Sequence, residues 1–244
     1  IVCDQLAPHF TGPYGHPAAI TPNMDRLAAE GVTFDSAYSP CPICLPARMS
    51  LMTGRYASRV GCYDNASILA ADEPTLCHHL AIVGYETALS GKMHFAGPDQ
   101  LHGFERRLTT DIYPSDMQWL PPRPENLPPG DYTALHTTRM VHDYLSAGTR
   151  QWGTELNYDE EVQARAREFL RDRRADFAPS VARDWTRADE RPFFLCVSFH
   201  HPHDPFHAPQ RLWDLYEDAA IDLPEYPDDV YEGAPAMDRM LNAF

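Results

Sequence analysis

The chain has 244 residues, 43% hydrophobic and 23% charged, enough for one large domain or two small ones with a sizeable buried core. Twenty basic side chains against 35 acidic ones leave a formal charge of −15, which argues against nucleic acid or an anionic membrane as the main partner. The six cysteines (Cys3, Cys41, Cys44, Cys62, Cys77 and Cys196) are too scattered for a disulfide framework. With no signal peptide and no long apolar run, a cytoplasmic setting is expected. Ile1, however, opens in the middle of an apolar strand, so a removed leader and a secreted or periplasmic setting stay open.

Ile1-Val2-Cys3 reads as the end of a buried strand, with Asp4 just past its carboxyl end, where open α/β sheets bind ligands. Taken alone, Asp4 reads better as a turn or cap aspartate. Thr21 is expected as N-cap of a helix from Pro22 to Glu30, with Gly31 as terminator. Val32 to Tyr38 alternates like a short strand.

Cys44-Leu45-Pro46-Ala47-Arg48-Met49-Ser50-Leu51-Met52-Thr53-Gly54 follows. Pro46 suits a first helical turn, which sets Cys44 at a helix start, where free N–H groups and the dipole favour an anion. Arg48, one turn on, can aim a planar fork of donors at the same spot. A nucleophile, an anion-binding backbone and a guanidinium thus converge. The plainer alternatives are a buried structural cysteine and a redox Cys-x-x-Cys formed by Cys41 and Cys44.

Tyr63-Asp64-Asn65-Ala66 leads to a helix opened by Pro74 and closed by Gly84, then to a strand from Tyr85 to Leu89. Lys92 and His94 follow that strand's carboxyl end, and alternation would point both the same way if strand geometry persisted. Five prolines between Pro121 and Gly130 exclude regular helix or central strand, so 120–154 is read as an excursion over the active-site mouth. Asn157 to Ala175 is expected as a helix with acids early and arginines late. Its apolar face would be Val162, Ala166, Phe169 and Leu170, and its charges a solvated face. Phe193 to Phe199 is an almost wholly apolar buried strand, ending in His200-His201-Pro202-His203-Asp204-Pro205. The histidines there invite a zinc reading, but the further ligands that a closed zinc site needs are not seen.

Cys-x-Pro-x-Arg, four residues, then Thr-Gly resembles the signature of the type I, formylglycine-dependent sulfatases. Thr-Pro-Asn followed by a helix, Gly-Val-x-Phe before the cysteine and Gly-Lys-x-His after it share that layout. The segment Gly97 to Pro114, with Tyr63 to Ala66 and Ser90 to His94, is similar to the choline sulfatase branch. The resemblance implies an α/β fold, an alkaline-phosphatase-like core whose mixed, mostly parallel sheet is flanked by helices, incomplete at both ends. No Asp-His-Gly segment follows, so residues 1–244 are expected to be the N-terminal portion of a catalytic domain, holding a half-built metal site and inactive alone.

What the resemblance implies for residues is specific. Cys44, oxidised to formylglycine by a formylglycine-generating enzyme, is the nucleophile, and a divalent metal, Ca²⁺ ahead of Mg²⁺ or Mn²⁺, sits on Asp4 and residue 44. Arg48 orients the nucleophile, while Asn65 and Lys92 hold sulfuryl oxygens. His94 takes a proton, and His201 is the acid for the leaving alcohol; His203 and Asp204 shape the loop. Gln5 stands where many sulfatases have a second aspartate and is not carried over as a ligand.

The expected substrate is a small alkyl sulfate such as choline sulfate, with Trp119, Tyr132 and His136 as candidate cage aromatics. The partners are the maturation enzyme and, in the complete protein, further copies of itself. Three alternatives remain: a phosphonate monoester or phosphodiester hydrolase with the same nucleophile, a non-catalytic fragment with an anion pocket, and a Cys-x-x-Cys oxidoreductase.

Overall fold

A computed structural model describes residues 1–116, 145–173, 191–216, 219 and 221. The expected excursion lies for the most part outside the described residues, as do Trp119, Tyr132 and His136. The chain divides into two compact units, the first made of Ile1–Leu6, Thr33–Trp119 and Trp152–His203 and the second of the remainder.

The first unit is built on a sheet whose strands pair in parallel throughout, in the order β1-β5-β2-β3. These strands are β1 (Val2–Cys3), β2 (Glu86–Gly91), β3 (Arg106–Arg107) and β5 (Phe193–Phe199). The apolar run Phe193–Phe199 becomes a strand paired on both sides, as a continuous hydrophobic stretch requires. Strand β2 runs beside it in register from Glu86↔Phe193 to Gly91↔Ser198, and so continues two residues beyond the expected end at Leu89.

Helix α2 (Cys44–Thr53) buries Leu45, Pro46, Arg48, Met49, Ser50 and Met52, and Gly54 closes it in the left-handed conformation. Its Leu45, Met49 and Met52 form one core with Leu89, Met93, Phe95, Phe104 and Cys196. The short α3 (Ala57–Val60) follows. Helix α4 (Leu76–Ile82) starts later than Pro74 suggests, because Thr75 is its N-cap and the Thr75 N–H donates to His78 Nδ1 (3.1 Å), closing the first turn.

Helix α5 (Thr154–Asp172) packs on β2 and β5, burying Tyr158, Val162, Ala166 and Phe169. It begins three residues before the expected Asn157, behind Gly153. Leu170 falls off the apolar stripe and is exposed. A bond from Ser90 Oγ to Val162 O (2.8 Å) ties the helix to β2.

The second unit holds α1 (Pro22–Glu30), a parallel pair of β4 (Gly148–Thr149) with β6 (His207–Ala208), and α6 (Gln210–Trp213). Thr21 stands at the N-cap of α1 as expected, but its hydroxyl accepts from Gly12 N (2.9 Å) rather than from the helix's own N–H groups. The expected strand Val32 to Tyr38 does not form. Val32, Phe34 and Tyr38 are exposed, and without a neighbouring strand an alternating segment has nowhere to place its N–H and C=O groups.

Candidate active site

Asp4, Lys92 and the loop after β5 all lie at carboxyl ends of adjacent parallel strands, and α2 presents Cys44 as its first residue. The helix start differs in one respect from a simple anion trap. Leu45 N–H is taken by Asn65 Oδ1 (3.0 Å) and Pro46 has no N–H, so two of the first three helical positions offer no donor. Asn65 here holds the start of α2 in place. The positive groups around Cys44 are side chains instead.

Lys92 is one of them. It is fully buried, its ammonium pairs with Asp4, lies 4.0 Å from Cys44 Sγ and sits 4.5 Å from the Tyr113 ring centre. Arg48, expected to aim at the nucleophile, spends its fork on the framework. Nη1 donates to Lys92 O (2.6 Å) and Ser198 Oγ (2.9 Å), and Nη2 lies 3.5 Å from Asp4 Oδ2. It thereby clamps the ends of β2 and β5 and the residue that follows β1. Burial raises the Asp4 carboxyl, but the Lys92 and Arg48 charges outweigh that and hold it below the usual carboxylate range.

His94 does not continue the strand. Its backbone is left-handed (φ 61°), and the turn is held by Asp111 Oδ2, which accepts from Met93 N (2.9 Å) and His94 N (2.7 Å). Arg107 Nη2 fixes that same oxygen at 2.8 Å, and Tyr113 lies against the His94 ring, 4.7 Å between centres. Tyr113 also lines a cleft of about 760 Å³, together with Gln100, Arg107, Asp111, Ser115 and Glu161.

On the loop after β5, His203 faces Cys44, although from the sequence it was expected only to shape the loop. Ligating atoms of Asp4, Cys44 and His203 all lie within 4.8 Å of one another. His201 is held elsewhere, with Nδ1 2.7 Å from Asp159 Oδ2. Asp159 also accepts from His200 N (2.7 Å) and His201 N (2.9 Å), so the early acids of α5 are not all a solvated face. Asp111, Tyr113, Asp159 and Ser198 are the site residues missed in the sequence. A capping signal spanning 41 residues cannot be read from local spacing, although Asp111, inside the Gly97–Pro114 segment, was within sight.

Burial pushes the Cys44 thiol up, yet hydrogen bonds from His203 and His94 and the charge of Lys92 outweigh it, and the thiol is drawn down to about 6. At neutral pH residue 44 is therefore mostly thiolate wherever it remains cysteine. Alkylation by iodoacetamide, followed by mass spectrometry of the peptide, is expected to rise with pH around a midpoint of about 6. His203→Ala should move that midpoint upward; an unchanged midpoint would remove His203 from the thiolate's surroundings. All six cysteines are free thiols in this structure.

The three-atom donor cluster tests the metal expectation. Asp4 and residue 44, with His203, offer converging donors in a space that already concentrates charge, so the residues fit a divalent ion. Asp4 is shared with Lys92 and Arg48. A Ca²⁺ ion takes about six to eight oxygens, more than these described residues provide.

A parallel sheet flanked by helices, with the start of α2 at its carboxyl ends, fits the alkaline-phosphatase-like α/β core. The chain belongs to the sulfatase family, whose profile matches residues 1–243. It is 43% identical over 206 residues to a choline-sulfatase of Rhizobium meliloti (strain 1021), covering 84% of this chain and 38% of that one. Among solved structures it resembles a protein in complex with its substrate D-glucosamine-2-N,6-O-disulfate, with a TM-score of 0.61 and 22% identity, covering 91% of this chain and 38% of that one. It is also similar to the phosphonate monoester hydrolase of Agrobacterium radiobacter, with a TM-score of 0.56 and 24% identity, covering 88% and 42%. The chain thus spans well under half the length of the curated relatives it matches.

Proposed function

We propose that the chain carries the nucleophile of an enzyme that hydrolyses a small alkyl sulfate ester, choline sulfate or a similar compound, with residue 44 acting as formylglycine. The observation that supports this is the gathering of Lys92, His94 and His203 around one sulfur in a chain of net charge −15. Such a local basic pocket, set against the global field, suits an anionic reacting group. The 43% identity to a choline-sulfatase supports the choice of ester.

In this proposal the chain's own residues divide the work. Lys92 holds a sulfuryl oxygen with its buried ammonium, and the Asn65 amide nitrogen holds another while its oxygen anchors α2. Arg48 acts through the strand ends it clamps, keeping Lys92 and Asp4 fixed. His203, which faces residue 44 in the place first expected of His201, protonates the leaving alkoxide when the sulfur–oxygen ester bond breaks, and His94 accepts a proton from residue 44 as sulfate departs. Hydrated formylglycine supplies two hydroxyls on one carbon, one to attack sulfur and one whose deprotonation expels sulfate without water attack. Asp4 and residue 44 would hold the divalent ion. Ca²⁺ is favoured for the hard oxygens of Asp4 and formylglycine, and its contribution is Lewis acidity at the reacting centre. Tyr113 and Glu161, on the adjoining cleft, are the described groups suited to a quaternary ammonium. The proposal includes maturation by a formylglycine-generating enzyme, self-association of the complete protein and a cytoplasmic setting.

The tryptic peptide Leu27–Arg48, from protein made together with a formylglycine-generating enzyme, should be lighter by the thiol-to-aldehyde change. The complete matured enzyme should then turn over choline sulfate in preference to an aryl phosphonate monoester. An intact Cys44, with a known sulfatase converted in the same cells, would sink the nucleophile. The reverse preference would favour the phosphonate reading, which the shared fold of the Agrobacterium radiobacter hydrolase keeps in view.

A further inference from the structure

We infer that Asp111 is a positioning residue for His94: it holds the left-handed turn after β2 that brings this imidazole to residue 44, while Lys92, two residues earlier, is held by other groups. The inference rests on the proposed role of His94 as acceptor of a proton from residue 44 when sulfate departs.

The chain leaves the sheet between the two residues. Lys92 is still framed by strands, its N–H donating to Ser198 O (2.9 Å) and its carbonyl accepting from Arg48 Nη1 (2.6 Å). Met93 and His94 come after the last strand pairing, Gly91↔Ser198. Their N–H groups both donate to Asp111 Oδ2, at 2.9 and 2.7 Å. His94 has φ 61°, a conformation that is costly for a residue with a Cβ and persists only where its surroundings hold it. Two N–H groups converging on one carboxylate oxygen supply that hold, through charge-assisted bonds stronger than those to a neutral acceptor.

Asp111 is itself fixed. Its side chain is 5% exposed, and Arg107 Nη2 donates to the same oxygen (2.8 Å) while Arg107 Nη1 donates to Gln100 O (3.0 Å) and Oε1 (2.8 Å). Tyr113 N donates to Asp111 Oδ1 (3.4 Å), and the Tyr113 ring lies against that of His94. One segment, 107–113, thus sets both the backbone and one ring face of His94. The imidazole so placed is hydrogen-bonded to Cys44, and its position bears directly on residue 44.

The step that depends on it begins after the alcohol has left, with sulfate bonded through oxygen to the carbon of residue 44, which also carries a hydroxyl. His94 takes the hydroxyl proton, and the O–H electron pair becomes the second bond of a carbonyl group. The carbon–oxygen bond to sulfate breaks with its pair on the departing sulfate. The imidazolium then gives its proton to solvent, and water adds to the aldehyde again. A displaced His94 slows this second half alone, because Lys92 keeps its anchors in Ser198, Arg48 and Asp4.

The test uses the complete, matured enzyme with a nitrophenyl sulfate ester, whose phenolate departs without a proton and so keeps the first half fast. General base catalysis is worth about 10²–10⁴-fold. Asp111→Ala is accordingly expected to lower kcat about 100-fold and KM by about the same factor, leaving kcat/KM within about threefold of wild type. A burst of about one nitrophenolate per site should precede the slow phase. Mass spectrometry of acid-quenched protein should find the residue 44 peptide carrying the sulfuryl group. Asp111→Asn, which keeps an acceptor oxygen, should recover part of kcat. Equal falls in kcat and kcat/KM without trapped sulfate would reduce Asp111 to a general structural role and overturn the inference, as would an unchanged kcat.

Should Asp111→Ala fail to fold, amide hydrogen exchange of the wild-type enzyme decides the matter. Protection at Met93 and His94 like that of β2 supports the hold, and exchange at the rate of an open loop overturns it. Failure of the parent reading looks different. A wild-type enzyme inert towards sulfate esters would overturn the sulfatase activity itself. An active wild type beside a His94→Ala variant that traps no sulfate would remove the role of His94, and that of Asp111 with it.

Discussion

Lys92→Met is expected to cost on the order of 3–5 kcal/mol of folding stability at neutral pH and, in the complete enzyme, about 10²–10³-fold in turnover. Methionine fills much the same volume but leaves Asp4, a buried carboxylate, with Arg48 as its one remaining Lys or Arg partner among the described residues. The loss should depend on pH in a defined direction. The folded Asp4 carboxyl lies below its ordinary value, so its pairing contributes stability that is fully present above the unfolded carboxylate pKa of about 3.9. That contribution fades as pH falls through the lower folded value. The gap between wild type and variant, followed by denaturant titration, is therefore expected to be full at neutral pH and to close below about pH 4. The same variant should shift Cys44 alkylation to higher pH, because Lys92 is one of the groups that draw the thiol down. A variant as stable as wild type at neutral pH would show that Lys92 is not the main counter-charge of Asp4.

Gly91→Ala should be more damaging to the fold itself. Gly91 ends β2 with φ 110°, a conformation that L side chains rarely adopt. An added Cβ would run into the Ser198 carbonyl oxygen of the neighbouring strand and meet Val162 Cγ1 at 3.1 Å. The obstacle is backbone in the middle of the site's framework, where nothing can yield cheaply. Moving it would break the bond from Lys92 N to Ser198 O (2.9 Å) and the Arg48 contact with Ser198 Oγ. A loss of about 4 kcal/mol or more is expected, a size tied to a named steric or strain mechanism. It should appear as little soluble protein or a strongly lowered Tm. Unchanged thermal unfolding would mean that the strands separate at this point more easily than the register implies.

Local chemistry carried far: the apolar run Phe193–Phe199, the Pro22 and Gly31 bounds of α1, and the Cys44–Gly54 helix with its glycine terminator all appear where residue type and period put them. Val32 to Tyr38 shows the limit, since alternation is a property of the segment but a strand also needs a neighbour. The site followed the same division. Asp4, Cys44, Arg48, Lys92 and His94 were named from motif and strand-end position, and the structure gathers them at one end of the sheet.

Which partner each of them takes was not legible. Arg48 turned to the backbone, and Asn65 to the start of α2. His203 came to the sulfur and His201 to Asp159 on another helix. Such pairings depend on loops and helices meeting across tens of residues. Asp111 and Asp159 in particular look like ordinary acids on paper, because the N–H groups they hold appear in no residue letter.

The burial of α2 sets a deadline on the life of the chain. Leu45 and Met49 are 1% exposed and Met52 4%, while Pro46 and Arg48 are enclosed with them. A modifying enzyme that must grip the residues after Cys44 in an extended form therefore has only the interval before this helix docks on the sheet. Folding and maturation would then be competitors in time. A change that speeds docking of α2 would lower the fraction of molecules carrying a modified residue 44 without touching a single catalytic group.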